Sequence, residues 1–348
     1  MVDKGGSDLH LTIGMPPKAR ISGSILPIGE KPLDTPTMER LLKEIVAERH
    51  WKEFLEHRDL DLAHEIPGFA RFRGNYLYNH WGQAAVFRQI PAKILSFEQL
   101  NLPESIKKLC HLNEGLVVVT GPTGSGKSTT LAAMIDYINT NLRRHIITIE
   151  EPIEFVHPVK ESVIVHREVG DHTGSFAAAL KSAMRHDPDI LLVGEMRELE
   201  TIKLALSCAS MGMLVFGTLH TNNAPKTVDR IINAFPSDDQ NQVRVMLAGC
   251  LSGIVAQILC KKIPKGRVAV HEILLQHESL ANTVRTGQIA NIRQIIESGG
   301  ADGMVLMDTS LMNRVKDGSV EPKEAYMKAA NKALFAPLLK PGDLEDED

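Results

Sequence analysis

The sequence predicts an α/β protein in two parts: a small α+β domain, then a larger domain built to hold phosphates on a parallel sheet. Three observations carry this expectation. Leu116 to Thr130, LVVVTGPTGSGKSTT, runs from an apolar strand through a G-x-x-x-x-G-K-[ST] loop into an amphipathic helix. Four strand-length apolar runs, at 116–119, 146–149, 190–193 and 213–218, are followed by Lys127, Glu151, Glu195 and His220. Before them, some ninety residues alternate short apolar runs with Gly and Pro turns, the mark of an antiparallel sheet.

Taken in order, Ser7 to Ile28 reads as short strands separated by Gly14, Pro16-Pro17 and Gly23. Thr37 to Glu56 reads as one helix, with Met38, Leu41, Leu42, Ile45 and Val46 on its apolar face. Strands are expected around Asp59 to Ala63, Phe69 to Leu77 and Gln83 to Ile90. Arg71, Arg73 and Arg88 fall on these strands. Either they are solvated strand arginines, or some of them reach a nucleotide as arginine fingers, which stabilise charge on a transferring phosphoryl group. Ala92 to Pro103 reads as a hinge. The domain boundaries are accordingly set at 1–97, a linker at 98–104, 105–340, and an acidic tail at 341–348.

In the loop, Gly121, Pro122, Thr123, Gly124, Ser125, Gly126, Lys127, Ser128 and Thr129 form the expected binding set for ATP. The three glycines let backbone N–H groups turn toward phosphate oxygens, and the start of the following helix adds positive dipole character. Lys127 has the reach for the β- and γ-phosphates, and the Ser128 hydroxyl suits Mg²⁺. Glu150, Glu151 and Glu154 follow the 146–149 strand; they form either a charged loop or a group that assists Mg²⁺ or the attacking water. Glu195 follows the 190–193 strand, where it is placed to polarise water, whereas Asp189 precedes that strand and so sits at its wrong end for a metal. His220 is either a satisfied strand-end residue or a sensor of the γ-phosphate or of a neighbouring subunit.

Bulk properties bound the remaining classes. A net charge of −4 with a pI near 6.4 argues against a general nucleic-acid binder, and no apolar targeting segment opens the chain, so a cytoplasmic protein is expected. Val245 to Cys260 contains Ser252 and Gln257, is too short to span a bilayer, and reads as a buried helix. Cys110, Cys208, Cys250 and Cys260 stand singly, which suits reduced, buried thiols rather than a disulfide framework or structural metal.

With these segments assembled, the sequence resembles the PilT-type pilus retraction ATPases within the secretion ATPase superfamily of type II and type IV systems. SDLHLTIGMPP and RFRGN look like that family's PAS-like N-terminal domain. GPTGSGKSTTLAAMID is similar to its Walker A element, IEEPIEF to its Asp box, DPDILLVGEMRELETI to its Walker B element and GTLHTNNA to its His box. The resemblance implies a RecA-like P-loop ATPase domain with C-terminal helices, working in a homohexamer that uses ATP and Mg²⁺. It also implies force on an inner-membrane platform protein, with peripheral attachment at the membrane and a paralogous motor as a further partner. By resemblance Glu195 is the catalytic glutamate, and Glu151 and Glu154 occupy the Asp-box positions, Glu151 standing where Asp is usual. Arg73 and Arg88 match the arginines that contact nucleotide, with Arg230 and Arg267 weaker candidates. The chain lacks the four-cysteine insert of the assembly motors, which favours a retraction motor. Ser279 to Thr286, SLANTVRT, keeps only Asn282 and Arg285 of the AIRNLIRE-like motif, which leaves open an accessory PilU-like or type IVB secretion motor. A slow-hydrolysing regulatory subunit and a DNA translocase are the contrasting readings.

Overall fold

The computed structural model describes residues 1–90, 93–340 and 343, so the expected acidic tail lies outside the described residues apart from Asp343. The chain divides into two compact units, one of residues 1–93 with 152–156 and one of residues 94–151 with 157–348.

In the first unit, β1 (Gly6–Thr12), β2 (Lys18–Ile21) and β3 (Ser24–Pro27) precede α1 (Thr35–Glu44) and α2 (Glu48–His57), and β4 (Asp59–Ile66), β5 (Ala70–Asn79) and β6 (Gly82–Ile90) follow. All pairings are antiparallel, in the order β3-β2-β1-β6-β5-β4. Met38, Leu42, Trp51 and Phe54 from the helices pack on Leu62, Phe72, Tyr76 and Phe87, on one face of the sheet. The buried Tyr76 hydroxyl donates to the Leu42 carbonyl at 3.0 Å, which satisfies the polar atom on this aromatic ring. The single helix expected over Thr37 to Glu56 is two helices. The β-branched pair Ile45 and Val46 sits at the break, and Ala47 is extended, with φ −66° and ψ 152°, so the chain re-enters helix in a new direction.

The second unit opens with α3 (Phe97–Leu100) and α4 (Glu104–Leu109). Residues 98–104, read as a linker, therefore carry helix and lie inside this unit. Next come β7 (Gly115–Thr120), α5 (Lys127–Asn141), β8 (His145–Glu150), β9 (Val163–Glu168), α6 (Phe176–Ala183) and β10 (Ile190–Val193). They are followed by α7 (Leu199–Ser210), β11 (Leu214–Leu219), α8 (Ala224–Asn233), α9 (Gln240–Cys250), β12 (Leu251–Lys261) and β13 (Arg267–Leu275). After β13, the α-helices among the described residues are α10 (Glu278–Arg285), α11 (Ile292–Ser298), α12 (Met307–Lys316) and α13 (Pro322–Lys328), with short 3-10 turns between and after them.

The sheet order is β13-β12-β7-β11-β10-β8-β9, parallel throughout except for β13. Alternate residues of the central strands feed two cores. Val118, Ile149, Leu191 and Val215 face one, whereas Val117, Ile146, Leu192 and Phe216 face the other together with Met134 and Ile138 of α5. Burial on both faces explains why these strands read as unbroken apolar runs rather than as alternation. Val245 to Cys260 is not one helix but the end of α9 followed by β12, because a short apolar run fits either element and here ladders to β7 and β13 claim its second half. The four cysteines are buried and free.

Candidate functional site

β7 delivers the chain to the phosphate loop, and α5 takes it away. Gly121, Gly124 and Gly126 all adopt positive φ, at 150°, 76° and 86°. No side chain caps the N-terminus of α5, the end of a helix whose positive dipole character suits an anion. A Cβ at Gly124 would meet nothing within 4 Å, and the buried Ser125 hydroxyl has no hydrogen-bond partner. Lys127 is buried, and its ammonium group donates to the Gly121 and Pro122 carbonyls at 2.9 and 3.1 Å. An uncapped helix start, an orphaned hydroxyl and a cation folded into the loop fit a polyphosphate. Ser128, on the first turn of α5, offers the hard oxygen that Mg²⁺ prefers.

Strand order decides what shares this edge. β7, β11, β10 and β8 are parallel neighbours in register, so the chain leaves each of them on the same side of the sheet. The order has a consequence that spacing along the chain does not give: two strands separate β7 from β8, although only α5 lies between them in sequence. Glu195 leaves β10 on a pinned turn, in which Gly194 N–H donates to the Ile149 carbonyl at 2.8 Å and Met196 N–H to the Thr218 carbonyl at 3.0 Å. The Thr218 hydroxyl also donates to the Gly194 carbonyl. His220 leaves β11 beside it, with its Nε2 3.4 Å from a Glu195 carboxylate oxygen. Glu151 directly follows β8, whose Ile149 pairs with Val193 of β10. The second unit therefore gathers the loop, Glu151, Glu195 and His220 along one sheet edge.

Glu154 lies in residues 152–156, which belong to the first unit along with Arg73 and Arg88. Arg73 and Arg88 stand directly opposite each other on β5 and β6. Arg88 Nε donates to an Asp8 carboxylate oxygen at 2.7 Å, and Arg73 approaches Asp61 at 3.9 Å. Burial alone would raise the Asp8 carboxyl, but hydrogen bonds from Ser7 and Arg88 outweigh it and hold the group below the ordinary carboxylate value. Asp189 is at the opposite end of β10 from Glu195, where its carboxylate accepts from His145 N–H at 2.8 Å.

Other residues that support the site carry no motif. Thr120, the last residue of β7, is fully buried, and its hydroxyl accepts from Thr221 N–H at 2.9 Å. The Thr221 hydroxyl lies 2.7 Å from that of Thr227 on α8, so hydroxyls join the root of the phosphate loop to the residue after His220. The one signal for these groups in the sequence is a polar residue closing an otherwise apolar strand.

A family model, "Type II/IV secretion system protein", matches residues 58–265. The type IV pilus retractation ATPase PilT of Pseudomonas aeruginosa is 46% identical over 94% of this chain and 95% of its own length. The type IV pilus ATPase PilU of the same organism is 37% identical over 100% of this chain and 91% of its own. Among solved structures, a crystal structure of the pilus retraction motor PilT with bound ADP superposes with a TM-score of 0.88, at 41% identity over 99% of this chain and 97% of that one. Motifs, fold and full-length similarity agree, and the chain belongs to the type II/IV secretion system protein family.

Proposed function

We propose that this chain is an ATP-hydrolysing motor for type IV pilus retraction, working as a homohexamer against an inner-membrane platform protein. One observation carries the reading: a single row of parallel strand ends holds the phosphate loop, Glu195, His220 and Glu151 together. The greater identity to the PilT relative than to the PilU relative favours a primary motor over an accessory one.

The loop amides and Lys127 bind and orient the β- and γ-phosphates of ATP. The Ser128 hydroxyl would hold Mg²⁺, which would supply countercharge to phosphate oxygens. Glu195 accepts a proton from the attacking water, and His220, beside it, orients that carboxylate or responds to the γ-phosphate. Glu151 is assigned to the same water or to the metal's hydration shell. Arg73, Arg88 and Glu154 are assigned to the nucleotide from the N-terminal unit, the two arginines as fingers that stabilise charge in the transition state.

Among the described residues no helix is long and apolar enough to cross a membrane. Steady-state ATP turnover with Mg²⁺, measured on samples whose mass is read by sedimentation, tests the reading. Turnover is expected in the hexamer fraction and unchanged by added DNA. A hexamer without turnover, or turnover confined to DNA-bound protein, would overturn it.

A further inference from the structure

Behind the phosphate loop lies a polar cluster in a wall that is otherwise apolar. Gln257 sits inside β12, where its neighbours Ala256 and Ile258 pack into a core, yet it is itself only 2% exposed. Its amide nitrogen donates to the Ser125 carbonyl at 2.7 Å. Its amide oxygen accepts from the Thr130 hydroxyl of α5 at 2.7 Å and faces His271 Nε2 at 3.0 Å. Thr130 and His271 are also buried, and His271 is the direct register partner of Gln257 on β13. An amide oxygen cannot donate, so the network assigns the imidazole proton to Nε2. Burial pushes His271 down to about 3, which keeps the ring neutral, and the hydrogen bond to the Gln257 amide oxygen sets its tautomer.

The same strand limits the loop sterically. A Cβ at Gly126 would come 2.9 Å from the Gln257 amide nitrogen, and one at Gly121 would come 2.2 Å from the Gln257 carbonyl oxygen. Two of the loop's glycines are therefore set by their closeness to β12 as well as by φ.

We infer that Gln257, oriented by His271, is a positioning residue that holds the phosphate loop in its binding conformation. In a trans peptide the carbonyl and the N–H point in opposite directions. Fixing the Ser125 carbonyl on the β12 side turns the Gly126 N–H to the opposite side, toward the interior of the loop. Without the Gln257 donor the Ser125–Gly126 peptide is free to rotate, and the ordering needed for phosphate capture falls on the ligand. The Thr130 hydroxyl ties the start of α5 to the same amide, so both arms of the loop are referenced to one side chain.

This inference rests on the nucleotide reading above, and its test separates the two. Gln257→Glu keeps the acceptor for Thr130 and His271 but replaces the donor to Ser125 with an oxygen. Affinity for fluorescent ADP is expected to fall about tenfold or more, the loss that follows from one unpaired buried carbonyl, while turnover at saturating ATP changes little. His271→Leu should weaken binding in the same direction and by less, and His271→Gln, which restores an N–H near the old Nε2, should recover it. Losses in the double variant Gln257→Glu, His271→Leu should not add, because both act through one amide. Wild-type protein that binds no ADP would overturn the nucleotide reading. Wild-type binding with unchanged affinity in Gln257→Glu, or a fall in melting temperature without a change in affinity, would overturn the positioning role alone.

Discussion

The two units bury their strands in opposite ways, and this decides where each can carry chemistry. In the second unit β7, β10 and β11 are buried along their whole length on both faces. Solvent is reached only past the ends of these strands, in the segments that leave the sheet, where Glu195 and His220 stand. In the first unit β5 alternates buried and open positions, because helices pack on one face. Charge there lies across a face instead: Arg20, Asp8, Arg88 and Arg73 stand in one register line over four neighbouring strands. A site at strand ends is rigid but narrow, whereas a charged sheet face is broad and suited to meeting a surface or a charged ligand.

The sharpest way to break this comparison is to remove the charge on the open face. Arg73→Ala with Arg88→Ala should reduce ATP turnover by about 10³-fold or more if these arginines act as fingers, with little loss of ATP affinity. Unchanged turnover would reduce the row to a solvated face. At the strand ends, Glu195→Gln keeps the shape of the side chain but removes the proton acceptor, and kcat should fall by about 10²- to 10³-fold while Mg²⁺-ATP still binds. Loss of binding equal to the loss of kcat would argue against the role given to Glu195.

Stability sharpens the contrast from the other side. Leu191 and Leu192 are consecutive on β10 yet belong to different cores, so each should cost about 2 to 5 kcal/mol when cut to Ala. On a strand covered on one face, neighbours differ. Asn75→Ala, on the open side of β5, should cost about 0.5 kcal/mol or less by denaturant titration, and an equal cost to Leu191→Ala would show that face to be covered.

The same difference explains what could be read from the sequence. β7, β10 and β11 were legible nearly to the residue because a strand buried on both faces is an apolar run bounded by polar ends. The placement of Lys127, Glu195 and His220 just past the strands was legible because they follow such runs. The break between α1 and α2 was not, since Ile45 and Val46 continue the apolar spacing although α1 ends at Glu44, and Ala47 is extended ahead of α2. Strand order was hidden as well, because the β7-to-β8 connection looks local and yet spans two strands. Gln257 was visible only as an argument against a membrane span. That a lone amide in an apolar run meets Ser125, 132 residues earlier, is fixed by the β12–β7 pairing, which leaves no trace in local pattern.

The smallest expected effect concerns Asp8, the one carboxylate in the charged row, and it tests whether that row also supports its own fold. Asp8 is buried, while its partner Arg88 keeps most of its side chain in solvent, so screening limits the value of the pair. Asp8→Asn should therefore cost only about 1 kcal/mol at pH 7. The folded-state carboxyl titrates below the ordinary value of 3.8, so between the two values the unfolded chain binds more protons and stability rises with pH. The contribution is complete above the ordinary carboxylate range and is lost as pH falls through the folded value. Melting curves of the wild type and Asp8→Asn should differ at neutral pH and converge under acid. A gap that persists below the folded value would mean that Asp8 acts through shape rather than charge, and a gap that widens under acid would reverse the sign argued here.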